Sequence, residues 1–213
     1  MNASLQLETN DCLITALGDT PTMTHLTRRN AIALGASGCL AAVAGCLGRF
    51  EELTGDEPDG DGTLGDPANE VEVRVTDMPN PSFEPPLVHV HPGGTVRWLV
   101  EGRRHTVTSY HPDTYGPQRW PDGAETFESG LLRSDREFEW TFEEEGVYDY
   151  VDTRALCATH EALGAVGRVV VGWPDPDDEP ALDHDVTELQ GRATTIMREL
   201  NEETRAVLAE GAD

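Results

Sequence analysis

Between residues 71 and 173 apolar and polar residues alternate in short bursts. "VEVRV" (71–75) alternates strictly, and "LVHVHPGGTVRWLV" (87–100) is two alternating runs joined by Pro92–Gly93–Gly94. "EFEWTF" (137–142), "VYDYV" (147–151) and "GRVVVGW" (167–173) are further short strand-like segments. Period two sends successive side chains to opposite faces of a strand, so each burst predicts a strand with one face in a core. Glycine, proline or Asp/Asn clusters separate the bursts and read as turns. Roughly five to eight short strands in about 100 residues predict an all-β sandwich. Trp98 and Trp140 read as core aromatics. From residue 183 the period changes to that of a helix: Val186, Leu189, Ala193, Ile196, Leu200 and Val207 fall on one stripe, with Met197 and Leu208 beside it. This predicts a C-terminal amphipathic helix over 183–210, packed on its own domain. Its near-heptad spacing also permits a homodimer through the same face.

The segments outside the sandwich lack this patterning. Residues 47–70 are acidic and Gly/Pro-rich, cannot bury enough to order themselves, and read as a flexible tether. Residues 174–182, "PDPDDEPAL", read as a second acidic linker between the domain at 71–173 and the helix. Toward the N-terminus, Arg28–Arg29 precede an Ala/Gly-rich apolar run too short for a comfortable membrane span. That is the arrangement of a twin-arginine export signal over 23–46. "VAGC" (43–46) resembles a lipoprotein cleavage box with Cys46 as the lipid-bearing residue. Met23 is then the expected start, and 1–22 an over-extended reading frame. The expected location is the outer face of the cytoplasmic membrane.

Charge narrows the partners. Forty acidic residues stand against fifteen basic ones, a formal net charge of −25, and every basic residue is arginine. Such a surface repels nucleic acid and anionic membranes. It suits a soluble partner with basic patches or a salt-rich, halophilic setting; the acids are spread along the chain, and molar salt screens their repulsion, which favours the salt explanation.

Four cysteines occur: Cys12, Cys39, Cys46 and Cys157. Removal of the leader leaves Cys46, assigned to lipid, and Cys157, so a disulfide framework is not expected. Cys157 and His160 lie on a loop between two predicted strands, where a turn can aim both side chains at one point. Thiolate with imidazole selects copper or zinc. A third ligand has to come from elsewhere, and His105, at the edge of a predicted strand, is placed to supply it. Two imidazoles and one thiolate describe a type 1 copper site. His89 and His91 share one face of a strand and read as a half-exposed face; His111 reads as loop filler or a spare ligand. Met78 and Met197 read as packing residues.

"SFEPPLVHVHPGGTVRW" (82–98), "HTV" (105–107), "GVYDY" (146–150) and "CATHEALGAVGRVVV" (157–171) together resemble the cupredoxins, the small blue copper proteins of the plastocyanin and halocyanin kind. The resemblance covers nearly half the chain. It implies a Greek-key sandwich, one type 1 copper ion held by His105, Cys157 and His160, and electron exchange with redox proteins at the membrane rather than enzymatic turnover. Two departures stand out. Ala165 occupies the family's methionine position, leaving the axial place to Glu161, Asp152 or water. "VDTRAL" (151–156) lengthens the approach to Cys157. Alternative readings are a non-redox copper-binding or delivery protein and a degenerate cupredoxin that serves as a binding module.

Overall fold

The bursts of alternation become strands, and one of them serves two layers. The computed structural model describes residues 59–155 and 159–211; the expected leader, with Arg28, Arg29 and Cys46, lies outside the described residues. Strand β1 (Ala68–Thr76) sends Val73 and Val75 inward and Glu70, Glu72 and Arg74 outward. After β2 (Ser82–Glu84) comes the long β3 (Leu87–Val100). The Pro92–Gly93–Gly94 insertion bends β3 rather than ending it. Gly93 takes φ +82, the left-handed region that favours glycine. The first half of β3 pairs in parallel with β9 (Val166–Val171). The second half lies between β1, in parallel, and β7 (Arg136–Phe142), antiparallel. β9 pairs with β8 (Gly146–Val151), and β8 with the short β5 (Thr108–Ser109). A separate two-stranded pair joins β4 (Arg104–His105) to β6 (Leu132–Arg133).

Between these layers sits a core of valines and aromatics from both. Trp98 is fully buried, edge-on to Tyr150 at 5.2 Å and tilted against Phe127 and Phe138 at 5.6 Å. Trp140, half-buried, packs against the same cluster. Each such ring removed from water contributes on the order of 1.5–3 kcal/mol.

The C-terminal segment closes the outer face of β8–β9. Helix α1 is the short His160–Leu163; α2 (Pro180–Asp183), a 3-10 turn (Val186–Glu188) and α3 (Arg192–Glu210) follow β9. α3 buries Ala193, Met197, Leu200, Thr204 and Leu208. Ala193, Met197 and Leu200 cluster with Val151 and Val166, and Leu208 with Val147 and Val170. The helix therefore spends its stripe on its own domain. The stripe is rotated from the expected one: Ile196 and Val207 are only half-buried, and polar Thr204 takes a central place.

A buried ionic network explains that rotation. Asp149 on β8 and Arg168 on β9 stand opposite each other in the ladder, and both are fully buried beneath α3. Arg168 donates to Asp149 from Nε (2.7 Å) and Nη2 (2.9 Å), and Arg119 Nε donates to the same carboxylate at 2.8 Å. The remaining guanidinium hydrogens reach Thr204 Oγ1, Asn201 Oδ1 and the His184 carbonyl. Buried charges persist only when paired and hydrogen-bonded, and here the helix supplies the partners.

Three expectations change. The tether expected over 47–70 gives way to ordered chain from 59 onward: Gly60 and Gly62 donate to Pro67 and Asp66 carbonyls, Asp61 caps Thr63, and β1 begins at Ala68. Short side chains that satisfy backbone donors order a polar turn without apolar burial. The linker expected over 174–182 carries the start of α2, pinned where Glu179 Oε2 accepts from Val147 N at 2.8 Å. His89 is buried rather than half-exposed: Nδ1 accepts from Gly65 N, Nε2 meets the Gly172 carbonyl at 2.6 Å, and Trp173 stands edge-on to the ring. Among the described residues no helix is long and apolar enough to cross a membrane.

Candidate metal centre

At one end of the sandwich three turns bring His105, Asp152 and His160 together. His105 is set by the β4–β6 pair, where it opposes Leu132. The turn before it needs glycine at 102, because a Cβ there would collide with His105 Nε2. Asp152 follows β8 directly, and its N–H donates to the Ala165 carbonyl at 3.0 Å, beside the start of β9. His160 opens α1. Thr159 caps that turn by accepting from Ala162 N, and Gly164, at φ 107, ends it. His160 N donates to the Arg154 carbonyl (2.8 Å), and its own carbonyl accepts from Ala165 N (2.9 Å).

The side chains converge. Asp152 Oδ2 lies 2.7 Å from His105 Nδ1 and 2.6 Å from His160 Nδ1. The two rings stand 5.2 Å apart between centroids. All three residues are buried. Asp152 Oδ1 is held separately, accepting from Thr106 N, Thr106 Oγ1 and Arg154 N at 3.0–3.1 Å. Burial pushes the Asp152 carboxyl up, but the bonds from His105, His160 and the Arg154 backbone outweigh it and hold the carboxyl at about 2. The donor set, two imidazole nitrogens and a carboxylate oxygen within 4.8 Å of one another, fits a divalent or redox-active ion.

Cys157 lies outside the described residues, with Leu156 and Ala158. Its flanks are described: Ala155 and Thr159 form an antiparallel bridge, next to the Arg154–His160 bond.

Other residues singled out from the sequence lie elsewhere. Glu161, expected as a replacement axial donor, is buried and accepts from Tyr110 OH (2.9 Å) and Tyr115 OH (2.7 Å) instead. The α1 turn rotates it away from its neighbour His160, and the two phenols satisfy its oxygens. Those phenols are raised, by burial first and after it by the charge of Glu161 and the hydrogen bonds to it. His111, the spare ligand, sits in the 111–115 turn, where its Nδ1 accepts from Asp113 N. Met197 is packed under the helix as expected, whereas Met78 is 78% exposed and packs little.

Asp77 was not visible from the sequence. Its Oδ1 lies 2.9 Å from His105 Nε2, an off-line ionic contact, and its Oδ2 accepts from Arg103 N at 2.7 Å. No spacing rule links an aspartate to a histidine 28 positions further on, so only the fold reveals the contact.

Neither a protein-family model nor a curated protein sequence matches this chain. Solved structures do. Pseudoazurin from Methylobacterium extorquens AM1 is 23% identical over 63% of this chain and 98% of its own, with a TM-score of 0.50. Pseudoazurin from Hyphomicrobium denitrificans is 22% identical over 63% of this chain and 97% of its own, also at 0.50. Together with the two layers and the shared strand β3, that likeness shows that this chain has a cupredoxin-like fold, with a C-terminal helix laid over its outer face.

Proposed function

We propose that this chain is a copper-binding electron-transfer protein, with one ion held by His105, Cys157 and His160. The observation that carries the reading is the meeting of the His105 and His160 Nδ1 atoms on one buried oxygen at the end of the sandwich. Ala155 and Thr159, on either side of Cys157 in the sequence, form an antiparallel bridge next to His160. Copper would supply one-electron cycling between Cu(I) and Cu(II). The chain's own residues bind it and exclude water through burial. The partners are redox proteins at the membrane surface. Export through the Arg28–Arg29 signal and a lipid anchor on Cys46 place the protein at the outer face of the membrane. The excess of acidic side chains over arginine belongs to a salt-rich setting or to partners with basic faces.

Loading the full-length protein with Cu(II) and recording visible and paramagnetic resonance spectra tests this. An intense thiolate-to-copper band that disappears in Cys157→Ser is the expected result. A Cys157→Ser variant with an unchanged visible spectrum would overturn it. A second reading, a copper-delivery protein without redox cycling, is favoured by one observation: the anionic Asp152 oxygen against both Nδ1 atoms. Exchangeable copper without a reversible potential distinguishes it.

A further inference from the structure

Asp152 and Ala165 are neighbours through their main chains. Asp152 N donates to the Ala165 carbonyl where the β8–β9 ladder ends, and Ala165 is small and fully buried. Nothing of methionine's length projects from position 165. The anionic Oδ2 of Asp152 stands instead within hydrogen-bond distance of both imidazoles. The carboxylate is not free to swing out, since Thr106 and Arg154 hold Oδ1 by three bonds. A side chain fixed through one oxygen, with the other aimed between two Nδ1 atoms, has the form of a preset ligand.

We propose that Asp152 is a direct ligand of the ion, supplying an anionic oxygen where position 165 offers no donor, so that the centre favours the divalent metal state. This rests on the copper reading for its His105 and His160 ligands. Carboxylate is a hard donor, better matched to Cu(II), Zn(II) or Co(II) than to Cu(I), for which thioether and thiolate are the softer match. The proton balance is explicit. Each Nδ1 facing Oδ2 must present its lone pair to the metal, so a proton on Nδ1 leaves for solvent or the ring adopts the Nε2–H tautomer. For His105 that tautomer puts the Nε2 proton beside the Asp77 carboxylate, whose Oδ1 lies 2.9 Å from Nε2 but off the N–H line, an electrostatic contact and not a hydrogen bond.

Metal titrations of the full chain test this, with Cu(II), Cu(I) and Co(II) as probes on wild type, Asp152→Asn, Cys157→Ser and the double variant. Asparagine keeps a carbonyl oxygen for Thr106 and Arg154, and circular dichroism checks the fold. In Asp152→Asn the thiolate band persists at a shifted position, and the ratio of Cu(II) to Cu(I) affinity falls at least about tenfold, a rise of about 59 mV in potential. Cys157→Ser keeps stoichiometric Co(II) binding, which the double variant loses. An Asp152→Asn protein with unchanged band and affinity ratio overturns the proposal. If Asp152→Asn does not fold, X-ray absorption of the wild-type copper protein decides: an oxygen donor supports the assignment and its absence overturns it. Failure of the thiolate reading shows separately, as an unchanged visible spectrum in Cys157→Ser, and leaves the Co(II) comparison valid.

Discussion

Replacing Glu161 by alanine separates an anchor from a ligand. Glu161 is 2% exposed and accepts from two phenols, at 2.9 Å from Tyr110 and 2.7 Å from Tyr115. Its loss leaves the Tyr110 hydroxyl fully buried without an acceptor, a cost of about 1–3 kcal/mol. Tyr115 is half-buried and turns toward water more cheaply. Release of the carboxylate's own burial cost offsets part of this, leaving a net destabilisation of about 2 kcal/mol. For a domain of this size that lowers Tm by roughly 4–8 °C. Urea and thermal unfolding measure it, and adding Tyr110→Phe to Glu161→Ala recovers part of the loss, because the orphaned hydroxyl goes with it. The visible band of the copper-loaded variant stays where it is in wild type. The opposite pattern, unfolding energy within about 0.5 kcal/mol of wild type and a displaced or missing band, would refute the reasoning and make Glu161 a ligand. The pH dependence has a definite sign. Folded Tyr110 and Tyr115 keep their protons above the ordinary value of 10.0, while the unfolded chain loses them there, so stability falls as pH rises beyond 10.0. Glu161→Gln, which removes the charge but not the burial, shallows that fall.

Two further expectations concern the helix and the polar turn. Asp149→Asn leaves two buried guanidinium groups without their counter-charge and costs about 3–5 kcal/mol by denaturant unfolding, with or without 1 M salt; Glu84→Gln, on the surface beside Arg74, costs under about 0.5 kcal/mol. A loss at Asp149 that salt erases would contradict its burial. His89 is held below its usual value by burial, against the raising effect of its bond to Gly172. The unfolded chain takes up a proton near 6.5 that the folded ring resists, so stability declines as pH falls below that value. His89→Gln removes this part of the slope in unfolding curves recorded between pH 7.5 and 5, values chosen to bracket the ordinary range of about 6.5.

The strands were legible because period-two alternation is enforced by burial of one face, and β1, β7 and the second half of β3 carry it. Less visible was that "VYDYV" and "GRVVV" are buried on both faces, which hides Asp149 and Arg168 in what reads as a polar outer surface. The helix stripe misled for the same reason. Hydrophobicity selects Ile196 and Val207, while the fold turns inward Thr204, which accepts from Arg168. At the candidate metal centre, His105 and Asp152 meet across 47 positions, a closeness that no local sequence pattern encodes. Adjacency to His160 made Glu161 look like a donor, but a single helical turn separates consecutive side chains by about 100°. Asp77 carries no one-dimensional signal.

The anchoring of His160 has a consequence for speed. Its N–H is bonded to Arg154, its carbonyl to Ala165 and its ring to Asp152, while the next residue is clasped by two phenols. Backbone tied on both sides of a proposed ligand has little room to relax when the charge beside it changes by one. A low reorganisation barrier, built into main-chain bonds rather than into the ion, would let an electron come and go without the protein moving to meet it.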